Sequence, residues 1–555
     1  MRTTRIRLSL FVALTLCLVL LVACNGGGGS GDNSGNNPSE DGGADSNGGG
    51  DTDTDGDTDG DTDSDTDGDT DGDSDTDTDT DSDADADADG DTDGPNPKDS
   101  LVRGLDISKV SIFQTVEVPL MENGQAQTSQ IKVAKDKPAM IRVYVKPQTG
   151  WTARNVYAEL KYGSQTLTKQ IHVLTESNPD RLTTTFNFDI PVEAMAGNLQ
   201  YSVAIREAAD VASAAGNDNN SQWPASGTAT VTVTDTLGPL KIVIIPVQYN
   251  ADGSGRLPDT SASAIQLYHD GFYSFYPAAD VQITVGDVYP FSGTITATGG
   301  GWTQILSAIQ QLRTTRGAAF DEYYFGLFQP TADFGVFCAN GCVAGMSNLA
   351  SSPSQSWARS GTALGYGDSL AATTMIHEIG HCFGREHAPC GLGGQQPDPQ
   401  YPYANAKIGV YGYNILTKFL EIPSSNVTDF MSYCEPYWVS DYTYKALFTR
   451  LVAVNAQALV LPPPEARTMW SSVAIDKMDG EIIPNPAMEM IEPPVSPDVR
   501  QVQMLDAMGQ VVATLTAYYH PYSHPEIGGQ LFFPTPPDDA VSILMPGFLQ
   551  PIRIR

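Results

Sequence analysis

The chain has 555 residues, enough for several domains, and 67 acidic against 31 basic residues give it a net charge of −36. That balance argues against nucleic acid as a partner, because a phosphate backbone selects basic surfaces. Most of the charge is local: 22 aspartates lie between Asp51 and Asp93, and removing them takes −36 to −14, so the rest of the chain is only moderately acidic.

Residues 1–23 read as a bacterial lipoprotein signal. Arg2, Arg5 and Arg7 precede an apolar run from Leu8 to Val22, which closes at Leu21-Val22-Ala23-Cys24. Cleavage there would leave Cys24 as an acylated first residue, so attachment to a membrane through lipidated Cys24 is expected. A transmembrane anchor fits less well, since the run is short and no stop-transfer pattern follows. Asn25 rather than aspartate follows the cysteine. The expected location is the bacterial cell envelope, at the outer membrane or cell surface.

Residues 24–100 begin rich in Gly, Asn and Ser and continue with aspartate at every second position. Such a segment cannot bury a core, and its charge extends it into a tether that spans on the order of 200 Å at about 3.3 Å per residue. Fragments such as Asp51-Thr52-Asp53-Thr54-Asp55-Gly56 imitate the start of a calcium loop, but Thr62 stands where the bidentate glutamate belongs. Weak, diffuse Ca2+ binding is the most this tract supports.

Residues 101–236 alternate apolar and polar in short runs, as in Ile141-Arg142-Val143-Tyr144-Val145, which predicts a β-sandwich-like domain. It contains no cysteine, so a cysteine switch is excluded. A spacer or substrate-binding role is expected, and latency through one of its carboxylates stays open.

From 237 to 460 the pattern becomes alternating strands and helices. Leu240 to Val247, Val281 to Val285 and Glu322 to Phe328 read as strands, and Thr260 to Phe275 and Trp302 to Arg313 as helices. Val343 to Ser347 is a candidate edge strand for pairing with an extended substrate, and Asp441 to Val454 a closing helix. Cys338 and Cys342 flank the turn-forming Ala-Asn-Gly, which predicts a local disulfide in an oxidising compartment. A metal site built from the cysteines is the rival reading.

The chemistry concentrates on a helix starting near Ser369, whose end reads His377-Glu378-Ile379-Gly380-His381-Cys382-Phe383-Gly384-Arg385-Glu386-His387. His377 and His381 stand four apart, on one helix face, where both imidazoles can reach one Zn2+. Glu378 beside them can take a proton from a water whose pKa the metal lowers to about 7, acting as general base. Gly384 is placed to end the helix in a left-handed conformation and return His387 as third ligand. Ala372, Ile376, Ile379 and Phe383 repeat at helical spacing on the opposite face, so that face is expected to be core. A histidine-rich helix end that merely packs or caps would not need all five residues at these positions.

At these residues the chain resembles the metzincin zinc metallopeptidases, which combine this extended zinc motif with a methionine turn. Asp429-Phe430-Met431-Ser432-Tyr433-Cys434 supplies the second signature. The resemblance spans roughly residues 239–455 and implies an apolar floor from Met431, oxyanion support from Tyr433 and hydrolysis of peptide bonds. It also implies that Cys390 pairs with Cys434, each three residues beyond a landmark, leaving Cys382 as a buried free thiol. Two positions depart from the pattern: Ala388-Pro389-Cys390-Gly391 follows His387 in place of an acidic residue, and Cys382 stands where asparagine is common. The paired signatures are most similar to bacterial secreted metzincins of the mucin-degrading type. A surface-anchored endopeptidase acting on protein or glycoprotein is therefore expected, against the alternative of a non-catalytic adhesin or glycan-binding lipoprotein.

Pro462 to Pro464 marks a boundary, and 461–555 reads as β-rich, with Val499 to Leu505 and Val511 to Ala517 forming a hairpin. His520-Pro521-Tyr522-Ser523-His524 reads as a surface loop with no metal role. The expected fold class is multidomain: an α/β (α+β) metzincin-like zinc peptidase domain flanked by N-terminal and C-terminal β-sandwich-like domains.

Overall fold

Alternating burial along the strand Leu199–Glu207, in which every second residue from Leu199 is buried, shows how the N-terminal module is built. The computed structural model describes residues 99–209, 214–545, 548 and 550–554. The signal, Cys24, the tether and the calcium-like fragments lie outside the described residues.

Two antiparallel sheets form the N-terminal module. One joins Gln125–Ala126, Glu117–Glu122, Leu105–Phe113, Ala139–Pro147 and Phe186–Ile190; the other joins Gln222–Trp223, Leu199–Glu207, Arg154–Tyr162 and Gln165–Val173, with Ala229–Val231 also on Leu199–Glu207. Their inner faces share one core that includes Ile112, Ile141, Val143, Leu160, Phe186 and Val203. This is the sandwich that the sequence pattern predicts.

In the middle module, β1 (Leu240–Tyr249), β2 (Val281–Val285), β3 (Glu322–Phe328), β4 (Gly345–Ser347) and β5 (Ser360–Leu364) lie in the order β2-β1-β3-β5-β4. All pairings are parallel except β4 on β5, so β4 is an antiparallel edge. The expected edge strand is therefore present, though shortened to three residues. Sequence reading missed β5, whose Ser-Gly-Thr-Ala-Leu has no strong apolar run yet is wholly buried. Small side chains are required there: a Cβ on Gly361 would lie 2.7 Å from the Phe325 ring.

Four long helices complete this module, α1 (Ala262–Phe275), α2 (Trp302–Thr315), α3 (Ser369–Cys382) and α4 (Asp441–Leu459), with a single turn at Phe334–Phe337. Side-chain caps fix the starts of the last two, with Asp368 accepting from the Ala371 N–H at 2.8 Å and Ser440 from the Thr443 N–H at 3.0 Å. Ala372, Ile376, Ile379 and Phe383 of α3 and its end are all buried in the core shared with α1 and α4. The N-terminal module docks behind this core, where buried Lys137 donates to the carbonyls of Tyr273 and Tyr276 at the end of α1, at 2.6 and 2.7 Å.

The C-terminal module differs from expectation. Its strands form one antiparallel seven-stranded sheet, not a sandwich, in the order Ile482–Met490, Thr468–Asp476, Gly528–Pro534, Val511–Pro521, Asp498–Leu505, Ser542–Leu544, Ile552–Arg553. The predicted hairpin is there, with longer arms. No second sheet is needed because the middle module supplies the cover: Trp470, Met488, Met490 and Phe532 bury against Ala350, Trp357 and Ala358. Polar contacts add to this, including Ser307 to Asn485 at 2.7 Å and Gln310 to Gln530 at 3.0 Å.

Candidate metal centre

Helical geometry stacks His377 over His381 on α3, and the way α3 ends brings in His387. Gly384 has φ +82°; its N–H bonds to the His381 carbonyl at 2.7 Å, and the Arg385 N–H bonds to the Gly380 carbonyl at 2.9 Å. This is the Schellman ending expected of a glycine one residue beyond the helix cap. A side chain at Gly384 would also meet the Ala350 carbonyl and the Arg450 guanidinium.

The three imidazoles converge. The Nε2 of His381 lies 3.0 Å from that of His377 and 3.1 Å from that of His387. Among the described residues these three histidines form the one group of potential ligands gathered this closely, and all are buried. The outer nitrogens fix the tautomers: His377 Nδ1 lies 2.8 Å from the Phe430 carbonyl and His381 Nδ1 2.6 Å from that of Arg385. A carbonyl only accepts, so each Nδ1 carries the proton and each Nε2 presents a lone pair inward. The two Nε2–Nε2 distances approach the roughly 3.3 Å edge of a tetrahedron with about 2.0–2.1 Å metal–nitrogen bonds. The cluster can thus bind a metal ion, and the donor set suits zinc.

Electrostatics agree with that arrangement. Burial pushes His377 down to about 4, and burial also drives His381 and His387 well below the ordinary histidine value, so all three stay neutral ligands. Glu378 is likewise buried, which pushes its carboxyl up to about 7 against the opposing pull of His524 and of the Ser347 and Ser523 hydroxyls. Those hydroxyls donate to Glu378 Oε2 at 2.7 and 3.2 Å.

The methionine turn lies beneath. Met431 is buried under α3, and Gly380 permits the approach, since a Cβ there would collide with the Met431 sulfur. Buried Asp429 shapes the turn by accepting from the N–H groups of Met431 and Ser440, each at 2.9 Å. Two backbone bonds, Ala388 N–H to Met431 at 2.9 Å and Tyr433 N–H to Cys390 at 3.0 Å, tie the third ligand's loop to the turn. The Cys390–Cys434 disulfide closes that ladder, with the Cα atoms 5.8 Å apart. Cys338–Cys342 is also bonded, and Cys382 is a buried free thiol. Among the described residues the cysteines therefore build no metal site of their own.

Tyr433 stands at the cluster, its hydroxyl 2.9 Å from His387 Nε2. Burial, reinforced by Glu378, holds its phenol well above the ordinary value, so it remains a proton donor. No carboxylate of the N-terminal module joins the histidines among the described residues, which leaves latency through such a group without support.

One expectation is overturned here. The His520–His524 segment is no surface loop, for both histidines are buried and Ser523 touches Glu378. His524 faces His387, their ring centroids 6.3 Å apart, and its Nδ1 lies 3.0 Å from both Gln395 and Glu526. The reason is the packing of the C-terminal sheet, which carries this corner onto the end of β4. Neither Ser523 nor His524 was recognisable as a site residue from local sequence. No protein-family model matches the chain, and no curated protein matches it.

Proposed function

We propose that this protein is a zinc-dependent peptidase of the metzincin type, held at a bacterial cell envelope and acting on extracellular protein or glycoprotein. The observation that carries this reading is the convergence of three neutral histidine Nε2 atoms beside a buried glutamate, against which edge strand β4 packs at Gly345. Zinc bound there would lower the pKa of a water molecule and polarise the scissile carbonyl. Glu378 accepts the proton and passes it to the leaving amine, and two serine hydroxyls keep its carboxylate oriented. Tyr433 donates to the oxygen on which negative charge develops.

The test is metal dependence. The full chain, loaded with zinc, should cleave members of a broad peptide library; chelation should abolish cleavage and stoichiometric zinc should restore it. Cleavage that survives complete removal of metal would sink the mechanism. A library left intact by the zinc-loaded protein would instead favour the adhesin or glycan-binding alternative.

Anchoring rests on Cys24 alone. Cys24→Ser should abolish lipid labelling and move activity to the soluble fraction, because the expected attachment is the acyl group on that residue. Retention of that variant in the membrane fraction would overturn lipid attachment.

A further inference from the structure

His524 stands beside the metal cluster without belonging to it. It comes from the C-terminal module, is 8 % exposed and faces His387, yet lies outside the close group that the three ligands form. Two donors, the Nδ1–H of His524 and the side-chain amide of Gln395, meet on Glu526 Oε1 at 3.0 and 2.9 Å. Burial opposes charge on Glu526, but the His524 and Gln395 contacts hold it below the ordinary glutamate value, so it is a carboxylate that only accepts. The imidazole proton therefore stays on Nδ1, and Nε2 is a lone pair with no hydrogen-bond partner among the described residues.

The neighbours of His524 fix its place. Ser523, one residue earlier, donates to Glu378 Oε2 at 3.2 Å and ties this corner to the base. Gln395, whose side-chain oxygen lies 3.5 Å from the Tyr433 hydroxyl, ties it to the oxyanion side. The chain is exposed at Gly393 and Gly394 and again at Pro525 and Glu526, so His524 stands where the buried cluster borders solvent. Tyr522 and Ile527 anchor the corner, buried in one cluster with Trp302, Ile305 and Phe328 of the middle module.

We propose that His524 is a further catalytic residue, supplied by the C-terminal module, whose Nε2 accepts a hydrogen bond from the N–H of the scissile amide, with Glu526 as its positioning residue. The proposal rests on the peptidase reading above. In that reaction the water gives a proton to Glu378 and its oxygen bonds to the carbonyl carbon; the proton passes to the nitrogen, and the C–N bond breaks to release an amine and a carboxylic acid. Tyr433 serves the carbonyl oxygen, and Glu378 serves the water and then the nitrogen lone pair. The amide N–H is left needing an acceptor. That acceptor must stand on the Glu378 side, because the nitrogen has to lie within reach of the base. His524 Nε2 meets both conditions, and the bond strengthens as protonation makes the nitrogen positive, which favours the transition state over the bound substrate.

The test uses the zinc-loaded full chain, one cleavable peptide and its ester analogue, in which oxygen replaces the scissile N–H. His524→Phe should lower kcat on the peptide by about 10–100-fold, the worth of a hydrogen bond to a group gaining charge, and on the ester by less than about twofold, with zinc content unchanged. His524→Gln, which can offer an amide oxygen near the place of Nε2, should recover part of the loss on the peptide. Glu526→Ala should cost less than His524→Phe and, like it, act on the peptide only. Equal losses on peptide and ester would assign His524 to the oxyanion or to the fold and overturn the proposal, as would a Phe variant with wild-type kcat on the peptide or a Gln variant no better than the Phe variant. A wild type that cuts neither substrate would overturn the peptidase reading itself.

Discussion

Glu378→Gln should leave the fold and zinc content unchanged and reduce kcat/KM by about 10²–10⁴-fold, the usual contribution of a positioned general base. The substitution is close to isosteric, and the amide oxygen can still accept from the Ser347 and Ser523 hydroxyls that now bond to Oε2. What is lost is the proton acceptor. A buried carboxyl whose burial raises its affinity for a proton is well suited to that task, whereas an amide cannot take the proton at all. Metal analysis, circular dichroism and steady-state kinetics on one cleavable peptide decide the matter together. A variant with full zinc and undiminished turnover would remove Glu378 from the mechanism. Loss of zinc in the variant would mean that the carboxylate supports the ligand cluster instead.

Local sequence was informative wherever the chemistry is local. His377, Glu378, His381, Gly384 and His387 lie within eleven residues, so helix geometry and a glycine ending were enough to foresee their convergence. The parallel strands β1 and β3 were legible because burial on both faces makes them continuous apolar runs. Strand β5 was not, since packing beneath α2 and α3 selects small residues that carry no hydrophobic signal. The placement of the Tyr522–His524 corner was invisible for another reason. Ser523 reaches Glu378 across 145 residues of sequence, and His520 and His524 meet Trp357 and His387 of the middle module. A His-Pro-Tyr-Ser-His string reads as polar turn chemistry, which is correct for its backbone and wrong for its surroundings. The same tertiary cover explains why the C-terminal strands needed no second sheet.

Replacing both Cys390 and Cys434 with serine should weaken metal retention before it unfolds the rest of the chain. The bond closes a segment with a sequence separation of 44, so its removal frees an unfolded-state loop worth about 3–4 kcal/mol in the entropic account. That loss falls on the loop that holds His387. Two backbone bonds between residues 388–390 and 431–433 remain, each worth about 1 kcal/mol, too little to replace the cross-link. His377 and His381 are anchored separately on α3 and by the Phe430 and Arg385 carbonyls, so two ligands should stay in place while the third loosens. Competition with a chelator should then show a lower zinc affinity for the variant, and because Tyr413 and Leu420 of the cross-linked segment pack on Phe113 and Met140, the sandwich should lose stability only through that contact. The single changes Cys390→Ser and Cys434→Ser should match the double variant, because either one removes the same bond. Unchanged zinc retention in the double variant would show that backbone pairing and the methionine turn hold His387 without the disulfide.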